Sequence, residues 1–119
     1  MQVFDTIFTD RGSRYAVSGG PVETRDDVRA FLKDLTRRKK FAKATHNSWA
    51  ALLIDGPAKG DDGEAGAGAV ILRKLEGAGL ERHLVVVTRW FGGTKLGGDR
   101  FRRVADAVDH YLAHRDGGA

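Results

Sequence analysis

The stretch His83-Leu84-Val85-Val86-Val87-Thr88-Arg89-Trp90-Phe91-Gly92-Gly93 decides how this chain folds. It is apolar on both faces for most of its length and stops at paired glycines, which reads as a central strand covered from two sides. His46 to Asp55 has the same character, through Trp49, Ala50, Ala51, Leu52, Leu53 and Ile54. Between them an alanine-rich segment, about Glu64 to Glu76, carries Val70, Ile71, Leu72 and Leu75 ahead of the stop signal Gly77-Ala78-Gly79. Its length favours a helix. Strand, helix and strand together predict a βαβ arrangement.

Working outward, Gly92, Gly93, Gly97 and Gly98 lead into a helix starting near Asp99, marked by Phe101, Val104, Ala105, Val108, Tyr111 and Leu112 on one face. Upstream, Thr24 with Asp27 three residues on resembles a capping box, and Val28, Phe31, Leu32 and Leu35 follow helical spacing. At the front, Phe4, Thr6 and Phe8 alternate with Asp5 and Ile7. The turn residues Asp10-Arg11-Gly12-Ser13 and an extended Arg14 to Ser18 complete a hairpin that Gly19-Gly20-Pro21 closes. The order β-β-α-β-α-β-α predicts an α+β two-layer sandwich, with a sheet of about four strands and helices on one face. At 119 residues and 41% hydrophobic content the chain fits one domain, expected over residues 1–115, with 116–119 as a flexible tail.

Several function classes drop out. No apolar run approaches the roughly 20 residues that cross a bilayer. Asp5, Asp10 and Arg11 interrupt the start where a signal peptide needs an uncharged stretch, so a cytoplasmic protein without membrane contact is expected. The absence of cysteine removes disulfides, thiolate nucleophiles, thiolate-bound zinc and iron–sulfur clusters. Neither metal nor cofactor is expected. A formal charge of +4 is a mild surplus that matters where it is clustered.

It is clustered twice. Arg37, Arg38, Lys39, Lys40 and Lys43 fall within seven residues around Phe41 at the exit of the first helix. Two cations would satisfy a helix dipole, and the surplus reads as a phosphate-binding edge. The second cluster spans Arg89 to Arg103. It has the order strand, glycines, helix, but neither the Walker spacing nor GxGxxG, so nucleotide hydrolysis is a poor fit. Gly92, Gly93 and the helix start can bind an anion among Arg89, Lys95, Arg100 and Arg103. The plain alternative is that the glycines only turn the chain around Trp90 and Phe91. Two polar motifs complete the set. His46 and Asn47 open a hydrophobic strand, His46 being either a structural residue held by the backbone or a group that orients a phosphate or acts as a base. Asp61, Asp62 and Glu64 precede the second helix; capping accounts for one or two, and ion pairing with Arg89 or Lys95 is preferred over Mg²⁺ binding for the rest.

Ala44-Thr45-His46-Asn47-Ser48-Trp49-Ala50, then Asp61-Asp62-Gly63-Glu64-Ala65-Gly66, then Val85 through Gly93 with Leu96-Gly97, resemble the IMPACT family in that order. The likeness runs from Ser13-Arg14-Tyr15 into the last helix. Glu64 to Gly68 and Asp99-Arg100-Phe101 are closer to the eukaryotic form of this N-terminal domain than to the bacterial YigZ-type one. The resemblance implies a fold like the second domain of a small-subunit ribosomal protein and domain IV of elongation factor G. That fold includes a left-handed βαβ crossover, against the usual right-handed rule. The chain as it stands carries neither the ferredoxin-like domain of YigZ-type members nor an RWD domain, so control of a starvation kinase is not carried over. Resemblance and basic clusters together lead to a non-catalytic protein that binds RNA or a ribosomal subunit and is linked to translation regulation. An enzyme acting on a phosphorylated small molecule and a protein-interaction module are the alternatives.

Overall fold

In the computed structural model, which describes residues 1–116, strands β1 (Gln2–Asp10) and β2 (Ser13–Pro21) form the expected antiparallel hairpin. Helix α1 (Arg25–Thr36) opens on the expected capping box: the Asp27 N–H donates to the Thr24 hydroxyl, and the Thr24 N–H to the Asp27 carboxylate. A single turn, α2 (Lys39–Ala42), leads to β3 (His46–Leu53), β4 (Gly56–Gly60), α3 (Ala67–Ala78), β5 (His83–Trp90) and α4 (Asp99–His114).

The sheet order is β1-β2-β5-β3-β4, with every neighbouring pair antiparallel. There are thus five strands rather than about four. The added one, Gly56-Pro57-Ala58-Lys59-Gly60, has two glycines, a proline and no β-branched residue, so it carries no strand signal. It sits on the edge, where a proline is tolerated. Its presence also changes the βαβ reading. β3 and β5 are antiparallel neighbours, and the parallel crossovers are β2-α1-β3 and β4-α3-β5, each passing over one intervening strand.

Helices cover both faces, which corrects the two-layer expectation. Tyr15, Val17, Ala50, Leu52, Val85 and Val87 pack under α3 and α4. Ala16, Ala51, Leu53, Leu84, Val86 and Trp90 pack under α1 and α2. Strands apolar on both sides need cover on both sides. The hand of the crossovers follows from this geometry. The second crossover starts on a strand antiparallel to the first one's, steps the opposite way along the sheet and crosses the opposite face. Three reversals invert the hand, so one of the two crossovers is left-handed.

The sheet therefore has two distinct ends. At one, the β1–β2 turn, the α2–β3 junction, the β4–α3 loop and the β5–α4 loop gather. At the other, His83 and Tyr111 form a buried hydrogen bond of 2.6 Å between ring nitrogen and hydroxyl. Gly19 makes room for it, since a Cβ there would lie 2.3 Å from the Tyr111 ring. Burial lowers the His83 pKa to about 4, with Arg115 and the N-terminal ammonium adding to the effect, and burial raises that of Tyr111 to about 12. The Asp116 N–H donates to the Gln2 side chain. The rest of the expected tail lies outside the described residues. No helix among them is long and apolar enough to cross a membrane.

Candidate functional site

The site is built on the last residues of β5 and the first of β3. Cross-strand register aligns Tyr15, Arg89 and His46 in one row on the α3/α4 face. Arg89, 5% exposed, donates from Nη1 to both Glu64 oxygens, at 3.2 and 2.9 Å, and from Nε to the Ser13 hydroxyl. Nη2 has no hydrogen-bond partner among the described residues, and Arg89 lines a cleft. Glu64 is equally buried, and His46 Nε2 stands 3.5 Å from its Oε2. Beneath Arg89, the fully buried Tyr15 hydroxyl finds no partner among the described residues, and burial raises its pKa to about 12.

The acidic motif positions Glu64. The Asp61 carboxylate accepts from the Gly66 and Gly68 N–H groups at the start of α3, which holds its carboxyl below the usual carboxylate range. Its carbonyl accepts from the Ser48 hydroxyl. Asp62, at φ +50, receives the Asn47 N–H on its carboxylate and His46 Nδ1 on its carbonyl. A carbonyl only accepts, so Nδ1 carries the proton and Nε2 is turned to Glu64. The expected pairing thus holds for Glu64 alone. Asp61 and Asp62 staple the loop to α3 and β3, and neither reaches Arg89 or Lys95. Among the described residues no three carboxylate or imidazole side chains gather to hold a metal ion.

The glycine loop is set by backbone contact. A Cβ on Gly92 would lie 2.0 Å from the Gly12 carbonyl carbon, so the close approach of the β5–α4 loop to the β1–β2 turn requires glycine at position 92. Ser13 joins them a second time, its hydroxyl accepting from the Gly92 N–H as well as from Arg89. Arg103 does not line the cleft. It pairs with Asp10 and Asp106, and hydrogen bonds from Arg11 and Arg103 lower the Asp10 pKa to about 2. The result is an open cleft of about 330 Å³ lined by His46, Glu64, Arg89, Phe91, Lys95 and Arg100 with Gly63 and Gly97, while Gly92 and Gly93 stay outside its lining.

A family model for the Impact N-terminal domain matches residues 11–112. The chain belongs to the IMPACT family. It is similar to Protein IMPACT of Rattus norvegicus, 35% identical over 117 residues, covering 91% of this chain and 36% of that one. Protein IMPACT homolog of Schizosaccharomyces pombe is 38% identical over 101 residues, covering 81% and 36%. The chain thus spans about a third of the length of the curated relatives it matches. Among solved structures, a hypothetical protein superposes with TM-score 0.82 at 23% identity, over 94% of this chain and 57% of that one. The two-domain translational regulator Yih1 matches with TM-score 0.53 at 30% identity, over 87% and 43%.

In this IMPACT-family domain the first basic cluster lies at the same end of the sheet, on the α1/α2 side. Phe41 and Trp90, candidates for base stacking, are buried against each other, and the Trp90 indole donates to the Lys40 carbonyl. Arg37 pairs with Asp34 and Lys40 with Asp5. Arg38, Lys39 and Lys43 are exposed and have no ion-pair partner among the described residues. Asn47 points to this side too, donating to the Phe41 carbonyl and accepting from the Thr88 hydroxyl. Ser13 and Thr45, whose hydroxyls fix the Gly92 and Phe91 N–H groups, were not legible as site residues, being small polar residues at the start of β2 and just before β3.

Proposed function

We propose that this domain binds RNA or a ribosomal subunit, without catalysis, as part of translation regulation. One observation carries the reading. Arg38, Lys39, Lys43 and Lys95 stand exposed at one end of the sheet without an ion-pair partner among the described residues, Lys95 on the cleft where Arg89 is already held in place and the other three on the α1/α2 side of the same end. Elsewhere some cations are matched, Arg29 by Asp26, Lys74 by Asp109 and Arg103 by Asp10, and exposed, unpaired ones such as Arg25, Lys33, Arg73 and Arg82 are scattered along the chain, whereas Arg38, Lys39 and Lys43 stand close together. Cations left over at one end and fixed by no internal need are what a polyanion recognises. Likeness to Yih1, a translational regulator, supports the biological setting.

Titration of a fluorescent RNA and of purified ribosomal subunits at several salt concentrations tests this. For about four to six neutralised phosphates on a single strand, the slope of log affinity against log salt is about −3 to −4. Absence of binding to both at low salt defeats the proposal. His46 beside Glu64 in a cleft supports a second reading, hydrolysis of a phosphorylated small molecule. Turnover of phosphate esters or nucleotides that disappears in His46→Ala, with the fold intact, would put that reading first.

A further inference from the structure

The cleft carries an aromatic surface beside its cations. Among the aromatic side chains near the basic elements, Phe41 and Trp90 pack edge to face at 5.3 Å between ring centroids and Phe101 is half-buried beneath the Arg100 guanidinium, whereas Phe91 is 47% exposed at the mouth of the cleft. The Phe91 backbone is anchored by its N–H bond to the Thr45 hydroxyl, and the Arg89 guanidinium carbon lies 5.7 Å from its ring centroid. Arg100 is steadied by its bond to the Gly97 carbonyl, and Lys95 stands free on the rim. Glu64 is the one carboxylate among the lining residues, and both its oxygens are turned to Arg89 Nη1.

We propose that this cleft holds one nucleotide of a single-stranded RNA, its base stacked on Phe91 and its phosphate on Arg89, Lys95 and Arg100. The inference rests on the RNA-binding reading above and adds a defined contact to it. About 330 Å³ is at the small end of the roughly 300–1,000 Å³ of ligand sites, room for one nucleotide and not for a duplex. A duplex would also keep its bases stacked on each other and out of reach. Arg89 is ordered before any ligand arrives, so little side-chain freedom is lost on binding. Stacking on an open ring is tolerant of base identity, so the site contributes affinity without strong sequence preference.

The test compares two fluorescent probes of equal charge by anisotropy: octauridine and an octamer of abasic ribose phosphates. The expected result is that Phe91→Leu weakens octauridine binding about tenfold, the loss of one base–aromatic stack. It leaves the abasic probe unchanged, and Phe91→Tyr restores octauridine affinity. Lys95→Ala weakens both probes alike. If the wild-type domain binds octauridine and Phe91→Leu binds it equally well, or loses both probes equally, the cleft inference fails while RNA binding stands. If the wild-type domain binds neither probe at low salt, the cleft inference fails, and the wider reading falls with it when ribosomal subunits are not bound either.

Discussion

The two ends of the sheet bury polar side chains by opposite means. At the far end a histidine and a phenol share one hydrogen bond beneath the last helix, and burial keeps both neutral near pH 7. At the cleft end an arginine and a glutamate are buried as an ion pair, with a histidine and a serine completing the set. The neutral pair loses little on desolvation once its bond is made. The ion pair loses several kcal/mol per charge, and a well-packed apolar pair of the same volume would hold a fold as well. The difference teaches where to look for function: the far end is arranged to close the core, and the cleft end to hold a guanidinium rigid against solvent.

The largest expected effect breaks the cleft end. Glu64→Leu leaves Arg89 buried without a counter-charge and is expected to cost about 3–5 kcal/mol in urea unfolding. The double variant Glu64→Leu with Arg89→Met should recover most of that loss, since the pair's mutual attraction mainly offsets its desolvation. A single variant costing under about 1 kcal/mol would mean the pair is solvated, and the comparison between the two ends would collapse.

The next effect is pH-dependent and belongs to the far end. The folded state holds His83 neutral down to about pH 4, whereas an unfolded chain protonates it near 6.5. Below pH 6.5 the unfolded state therefore takes up a proton that the folded state does not, and stability falls as the pH drops towards 4. The contribution is fully present above pH 6.5, and the loss amounts to about 2–3 kcal/mol. Carboxylates such as Asp10 and Asp61, whose pKa values are lowered, add losses of their own at lower pH. The difference in unfolding free energy between wild type and His83→Gln, followed from pH 7 to 4, isolates the histidine. A difference that stays constant across that window would show that His83 is hydrated in the folded state.

Much of this was legible in the sequence, and the misses have physical causes. Thr24 with Asp27 and the spacing of Val28, Phe31 and Leu35 located α1, because a capping box and an apolar stripe are local signals. The run from His83 to Trp90 announced burial on both faces, and followed through it would have required helices on both. β4 was missed because Gly56-Pro57-Ala58-Lys59-Gly60 owes its extended state to pairing with β3 and not to propensity. At the site, the likeness and charge pattern brought His46, Glu64, Arg89, Lys95 and Arg100 to notice. Their convergence, the withdrawal of Arg103 to Asp10, and the choice of Phe91 over Phe41 and Trp90 as the exposed ring depend on contacts between residues far apart in the chain.

A smaller effect sharpens the account of the acidic motif. Asp61 caps α3 from outside the helix, since the N-cap residue Gly66 has no side chain to do so. Asp61→Ala is expected to cost about 1 kcal/mol in thermal or urea unfolding, the ordinary size of a lost cap. Asp61→Asn should recover part of it, because an amide oxygen still accepts one N–H. Mg²⁺ at millimolar concentration should leave the wild-type midpoint unmoved. A midpoint that rises with Mg²⁺ would instead make the motif a metal site.

The smallest stability effect falls on the residues that the proposed function needs most. Arg38 and Lys43 are exposed and unpaired among the described residues, so reversing both, Arg38→Glu with Lys43→Glu, removes no contact that holds the fold. Unfolding free energy should change by no more than about 0.5 kcal/mol. RNA affinity should fall for many sequences alike, and the salt slope should shrink by about 1.4 if each cation neutralises one phosphate of a single strand. This dissociation between stability and binding is the opposite of what Glu64→Leu produces. If the reversal left the salt slope unchanged, the α2 edge would be a solvated surface and the phosphate contacts would have to lie at the cleft alone.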